Sequence, residues 1–393
     1  MDTNHVAEEN TSTAGPSVDE ESFASLPRTL MEWRIEGRIC DPQDVSWPLI
    51  PSFATLFEKR GYQLWNYRMT SAAPPDETIP VCTHTYIGPY GWETEKRRFS
   101  FLQPYPNNIT HPARTIHNQD VIIRLVAIEG DTSGDQHVQA LERLSTGIRT
   151  YEASNPTLPV LNQLTFSGFH FIVFPYVYLA KHLPWFYNCG EILDFVMQLC
   201  KGVEYFHQLR VAHRDIALSN ILCNFAGGRT SPEHTYNLHV YPFRSYFPIR
   251  YYFIDFEWAA VFDEDANLSD CTVIGLPEGR PPERYYRPKA PEMLLSAPYS
   301  PFPTDVFLLG TLLKDFLGPE LNSYLELETK SKDSNETISR FVRELLSLFE
   351  NMLADEAGDR PTAADTVITL KRIEEESREL HILEAYVGED PRH

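Results

Sequence analysis

Apolar and polar positions change rhythm midway along the chain. In the first half the apolar residues come as short unbroken runs. DVIIRLVAI (120–128) has one cation inside an apolar run, and FHFIVFPYV (169–177) has none; both patterns predict buried strands. PSFATLFEKRGYQLW (51–65) reads as a short helix leading into a strand at Tyr62–Trp65, and HVQALERL (137–144) as a short amphipathic helix. Ala73–Glu77 and Asn155–Pro159 carry the prolines of a linker and a turn. After Pro184 the rhythm becomes helical: Ile192, Leu193, Val196, Met197, Cys200, Val203 and Phe206 recur every three to four positions. Two short strands, NILC (220–223) and YYFIDF (251–256), flank an irregular stretch from Asn224 to Arg250. Helices are predicted over Asp305–Leu317, Ser339–Leu353 and Ala363–Leu380, and there is no internal repeat. Strands first and helices second predict an α+β fold with two lobes and a cleft between them.

Composition narrows the function classes. The 393 residues, 42% of them hydrophobic, suffice for one two-lobed domain with extensions. Thirty-four basic residues against 55 acidic ones leave a net charge of −21, which repels phosphate backbones and anionic bilayers. Neither nucleic acid nor a membrane is therefore expected as a partner. Cys40, Cys82, Cys189, Cys200, Cys223 and Cys271 are scattered without metal-ligand spacing, as free thiols in a reducing compartment would be. The first 25 residues are acidic, polar and poor in large apolar side chains, predicting disorder and no signal peptide. FHFIVFPYVYLA (169–180) is too short to span a bilayer. The expected location is intracellular, cytoplasmic or nuclear.

VAHRDIALSNILCN (211–224) carries the chemistry. It places His213, Arg214, Asp215 and, five residues after the aspartate, Asn220 between a long helix and a strand. Asp255 follows at the end of the apolar strand YYFI. Phosphoryl transfer needs a carboxylate to orient the attacking hydroxyl and oxygen ligands for magnesium. Taken singly, Asp215 and Asp255 read equally well as ordinary turn carboxylates, because short motifs give false positives.

The set taken together resembles the protein-kinase family. HRDIALSN looks like its catalytic loop and IDFE stands where the family has Asp-Phe-Gly. Ala290-Pro291-Glu292 looks like the end of the activation segment, and Asp305 in FPTDVFLLG like the buried anchor of the catalytic loop. Asp359-Arg360-Pro361-Thr362 looks like the late arginine motif, and all five follow family order over roughly residues 95 to 375. GYQLW, the long loop before RYYFIDF and PFPTDVFLLG look most like a divergent group of fungal kinase-like proteins. The resemblance implies a bilobal protein-kinase-like fold: a disordered terminus to residue 25, an extension over 26–94 packing on the small lobe, a β-rich N-lobe over 95–177, a larger helical C-lobe over 178–380 and a tail over 381–393. It also implies ATP and Mg2+ as cofactors and a protein as substrate or binding partner. Asp215 would be the catalytic base, with Asn220 and Asp255 as magnesium ligands. Arg214 would neutralise a phosphate or carboxylate on the activation segment, where Ser269 and Thr272 are either phosphorylation sites or plain loop hydroxyls. His213 and Phe256 would be packed spine residues, and Glu292 would pair with Arg360.

The pattern also breaks. FSFLQPYPNNITHPART (99–115) contains no glycine for a phosphate loop, and Asn107-Asn108 is the one turn candidate in it. The strand lysine is replaced by Arg124, or by Glu129 if the register shifts; the first register keeps a cation, which either grips the nucleotide's phosphate or reaches solvent from the strand edge. The partner for that cation from the following helix is Gln136, His137 or, on spacing alone, Glu142. Glu257 replaces glycine after Asp255-Phe256, which either adds charge near the metal or faces solvent. Ala217 and Ser219 stand where the family often carries Lys or Arg against the acceptor. Three functions stay open on these residues: an active protein kinase, a pseudokinase serving as a scaffold, and a small-molecule kinase. The last is favoured by DFEW and opposed by Ala-Pro-Glu and Asp-Arg-Pro-Thr.

Overall fold

The computed structural model describes residues 23, 26–35, 51–68, 71–73, 109–179, 186–224, 249–277, 285–330 and 335–385. The predicted disorder before residue 23, the Asn107-Asn108 turn, most of the 224–250 stretch and the end of the tail lie outside the described residues.

A five-stranded antiparallel sheet forms the smaller lobe. Helices α1 (Leu30–Ile35) and α2 (Pro51–Lys59) precede strand β1 (Tyr62–Leu64) and the hairpin of β2 (Asn66–Arg68) and β3 (Ser71–Ala73). β4 (Thr110–Thr115), β5 (Asp120–Ile128), β6 (Asn162–Phe166) and β7 (Phe169–Pro175) complete the sheet in the order β1-β4-β5-β7-β6. Helix α3 (Asp135–Ser145) follows β5. Sequence reading missed β4 and β6. Pro112 masks β4, since proline ordinarily demotes a strand. β6 is mostly polar and buries only Leu164 and Phe166, the alternation of a one-sided edge strand.

One core belongs to the outer part of this lobe. Trp33, Phe53 and Phe57 are fully buried, and Phe53 and Phe57 meet Phe171 edge-on at ring separations of 5.3 and 5.0 Å. Phe169 receives Trp33 and Phe53 in the same way, at 6.2 and 5.4 Å. The Leu30 amide donates to Asp131 Oδ2 at 2.7 Å, tying α1 to the turn after β5. The sheet's core is thus shared between its own strands and chain that precedes it.

The larger lobe is built on helix α4 (Cys189–Gln208), which Asn188 caps by accepting from the Glu191 amide. β8 (Tyr178–Leu179), β10 (Ile221–Cys223) and β11 (Tyr251–Phe253) form one small sheet; β9 (Val211–Ala212) pairs with β12 (Ala260–Val261) and β13 (Val273–Ile274) with β14 (Pro298–Tyr299). Helices α5 (Pro301–Lys330), α6 (Glu336–Met352) and α7 (Ala363–Glu379) pack around α4 in one continuous apolar core. Helix α5 is much longer than the predicted Asp305–Leu317, running on through Gly318 and Pro319. A proline inside a helix costs about 3 kcal/mol; burial of Leu321 and Tyr324 beyond it offsets that cost. Helix α6 begins earlier than expected because the Asn335 side chain caps the amides of Thr337 and Ile338.

The arrangement is an α+β bilobal one, β-rich first and helical second. Among the described residues no helix is long and apolar enough to cross a membrane. Cys189, Cys200, Cys223 and Cys271 are buried free thiols, and Cys40 and Cys82 lie outside the described residues.

Candidate active site

The site forms where β9, β10 and β11 bring two loops together. The first loop is anchored from below by Asp305, which is fully buried in the first turns of α5. Its carboxylate accepts from the backbone amides of His213 and Arg214, each at 2.7 Å, and lies 3.1 Å from His207 Nε2. These bonds hold Arg214 at φ +62°, a left-handed conformation that a bulky residue adopts only under constraint.

His213 links this loop to the second. Its Nε2 donates to the Ile254 carbonyl at 3.1 Å, and its Nδ1 accepts from the Asp215 amide at 3.2 Å. One nitrogen donates and the other accepts, so the ring is neutral, and burial pushes its pKa down in the same sense. Phe256 is 1% exposed and packs tilted against His213 and edge-on against Phe206, at ring separations of 4.6 and 5.3 Å. Both residues are packed.

Asp215 and Asn220 touch. Asn220 Nδ2 donates to the Asp215 carbonyl at 2.9 Å and to its Oδ2 at 2.7 Å, while the Asn220 carbonyl accepts from the Ile254 amide at 3.0 Å. Both amide hydrogens of Asn220 are thereby committed, which leaves its oxygen as a donor atom for a cation. Asp255 follows Ile254 at φ +70° and ψ +63°, a second left-handed residue at the site. Burial pushes the Asp215 carboxyl up to about 7; Arg287 pulls against this and the Asp255 charge adds to it.

Arg287 is the residue that sequence reasoning missed. Its Nε donates to Asp215 Oδ1 at 2.7 Å and its Nη2 to Oδ2 at 3.3 Å. It lies five residues before Glu292, in RYYRPKAPE. Its signal in the sequence is the missing cation at Ala217 and Ser219, which leaves Asp215 without a positive partner in the rest of its loop.

Arg124 sits on β5 opposite Ile172, with its side chain 11% exposed. Its Nη2 donates to Asp255 Oδ1 at 2.9 Å and also to Glu257 Oε1. Burial disfavours its charge, but Asp255 and Glu257 outweigh burial and the guanidinium stays charged. Glu257 is therefore turned inward and does not face solvent. It supplies the partner that the sequence sought on the following helix. Of the three helix candidates, Gln136 accepts from the Val261 amide and Glu142 is exposed. His137 alone faces the site, with one ligand atom each of His137, Asp255 and Glu257 within 4.8 Å of one another. Glu129 lies past the end of β5, where its amide bonds to the Gly168 carbonyl, away from the site.

The stretch that ends at Glu292 is pinned there. Arg360 grips both Glu292 oxygens at 2.6 and 2.9 Å, and Thr304 Oγ1 donates to the same carboxylate at 2.7 Å. Burial works to raise the Glu292 pKa, but the Arg360 and Thr304 bonds lower it on balance. Arg214 Nη2 donates to the Gly275 carbonyl at 3.3 Å within the same segment. Thr272 is exposed nearby, and Ser269 Oγ donates to Asp270 at 3.1 Å.

A comparison with curated proteins finds no match. The family model for the protein kinase domain matches residues 171–370, which runs from inside β7 to helix α7 and takes in the Asp215 loop, Asp255, Glu292 and Arg360. That match spans half of the chain, and the chain belongs to the protein kinase domain family.

Proposed function

We propose that the chain is an ATP- and Mg2+-dependent protein kinase that transfers a phosphoryl group to protein hydroxyls. The observation that carries this reading is the contact between Asp215 and Asn220, beside Asp255. Asp215 is 5% exposed and still has carboxylate lone pairs beyond those its partners use, which suits it to orient an acceptor hydroxyl and take its proton. The Asn220 amide oxygen and the Asp255 carboxylate are hard oxygen donors, the ligand type that Mg2+ takes. They would hold the ion, which when bound neutralises the phosphates of the nucleotide. The pinned segment ending at Glu292 supports a protein acceptor over a small alcohol, since small-molecule kinases of this fold usually lack that motif.

One observation favours a second reading, a pseudokinase serving as a binding scaffold. Arg124, the strand cation, is spent on Asp255 and Glu257. A guanidinium satisfied by two carboxylates gives less to a phosphate and competes with the metal for Asp255. Melting the protein with millimolar ATP, with and without Mg2+, separates the two. Saturation a hundredfold above Kd adds about 2.7 kcal/mol of stability. The kinase reading expects an Mg2+-dependent rise in Tm that Asp255→Asn removes, together with phosphate transfer to a protein mixture and none to choline-like alcohols. No rise in Tm leaves the scaffold.

A further inference from the structure

The loop from Asp215 to Asn220 carries no cation. Ile216, Ala217, Leu218 and Ser219 lie between the two, and Ser219 Oγ only reaches Asn220 Oδ1 at 3.4 Å. Charge that gathers on a phosphoryl group in transfer needs a positive partner on the acceptor side. We propose that Arg287, carried on the end of the activation segment, is that partner: a catalytic residue that holds Asp215 and the transferring phosphoryl group at once. The assignment rests on the phosphoryl-transfer reading above.

Three observations support it. The guanidinium lies against both Asp215 oxygens, 2.7 and 3.3 Å away, and so within one hydrogen bond of the point where an acceptor hydroxyl must sit. Only two of its five N–H groups are used there, and three remain to donate to phosphoryl oxygens. Its side chain is 31% exposed while Asp215's is 7%, so the pair is closed on the carboxylate side and open on the guanidinium side. A pair built only for stability gains nothing from that opening.

Oδ2 of Asp215 takes bonds from Asn220 and Arg287, whereas Oδ1 takes one from Arg287. Oδ1 therefore keeps a lone pair for the acceptor proton. In the transfer, the acceptor oxygen bonds to the γ-phosphorus and its proton passes to Oδ1 of Asp215. The bond from that phosphorus to the β,γ-bridging oxygen breaks and ADP leaves with the electron pair. Arg287 donates to the equatorial oxygens throughout. Its position depends on the anchor five residues further on, where Arg360 and Thr304 fix Glu292. The site is complete only when that end of the segment is docked.

Two measurements on the full chain test the assignment: melting with Mg2+ and ADP, with and without aluminium fluoride as a phosphoryl mimic, and transfer from ATP to casein. In the wild type the fluoride is expected to raise Tm beyond the ADP shift. Arg287→Gln is expected to keep the ADP shift and lose the fluoride increment. Its kcat should fall about 100-fold, the usual loss on removing one transition-state donor, with the KM for ATP within about twofold because ground-state binding is untouched. Arg287→Lys, which restores charge without the fork, is expected to recover part of both, and it carries the test if the glutamine variant does not fold. A wild type that transfers phosphate alongside an Arg287→Gln variant of equal or higher rate overturns the assignment alone; a higher rate makes Arg287 a plug. A wild type with neither an ADP shift nor transfer overturns the phosphoryl-transfer reading and this assignment with it.

Discussion

Single residues in this chain are held far from their behaviour in water, and His111 shows how that couples to stability. It lies on β4, 4% exposed, with Nε2 3.0 Å from the Trp65 carbonyl. A carbonyl only accepts, so Nε2 carries the proton and donates. Burial drives the His111 pKa down from 6.5 to about 4, the Trp65 bond opposing only in part. The unfolded chain therefore binds a proton here that the folded chain refuses. Stability is unaffected above pH 6.5 and falls as pH drops from 6.5 to about 4, by roughly 3 kcal/mol at about 1.4 kcal/mol per unit. His111→Gln removes this titration. Urea unfolding at pH 7.5 and pH 4.5 should show a smaller loss between the two pH values in the variant than in the wild type. Equal losses would mean that His111 is solvated in solution. The Arg360–Glu292 pair obeys a different rule. Removing one partner of such a buried pair strands the other and costs about 3–5 kcal/mol, so its value lies in fixing the segment.

Elements are set by close approaches as much as by propensity. Gly202 lies in the middle of α4, where alanine has the higher helix propensity by about 1 kcal/mol. A Cβ there would stand 2.6 Å from Phe253 Cε2 and 3.1 Å from Pro156. Phe253 ends β11, two residues before Asp255, and is 1% exposed, so its ring has nowhere to retreat. Gly202→Ala should therefore destabilise by about 1–3 kcal/mol despite the better propensity, and it should weaken any Mg2+-dependent nucleotide shift by displacing β11. A variant as stable as the wild type would show that β11 yields freely. Such approaches decide what a sequence discloses. The long apolar runs of β5 and β7 and the periodicity of α4 were legible, because burial on two faces or one stripe writes itself into composition. The Asp215–Asn220 spacing was legible for the same reason, being local. Glu257 and Arg287 were not. Their roles come from pairs 133 and 72 positions apart in the chain, Arg124 with Glu257 and Arg287 with Asp215. Nothing local encodes such distances. β4 and the far end of α5 were hidden by prolines whose cost tertiary burial offsets.

At the scale of the whole molecule, the family match and the folding unit differ. The match begins at Phe171, inside β7. A fragment cut there would lose β1, β4, β5 and β6, all four strands that make up the sheet with β7, and with β5 it would lose Arg124. A milder cut, starting the chain at Ser100, keeps β4, β5, β6 and β7 of the sheet but removes β1, the β2–β3 hairpin and Trp33, Phe53 and Phe57. Those three bury against Phe169 and Phe171. Burial of each large aromatic contributes roughly 1.5–3 kcal/mol that the cut forfeits, and the bare sheet face would become an apolar patch that monomers rarely expose. The sum is comparable with the whole stability of an ordinary domain, about 5–15 kcal/mol. The cut at Ser100 should therefore melt the smaller lobe while the α4 core, which Phe53 and Phe57 do not touch, stays folded. Hydrogen exchange reads the two lobes separately. Protection should vanish across β4, β5 and β7 and persist in α4 and α5. Full protection of β5 and β7 in the shortened chain would show that the sheet stands without the preceding helices, and loss of protection in α4 as well would show that the two cores fold as one.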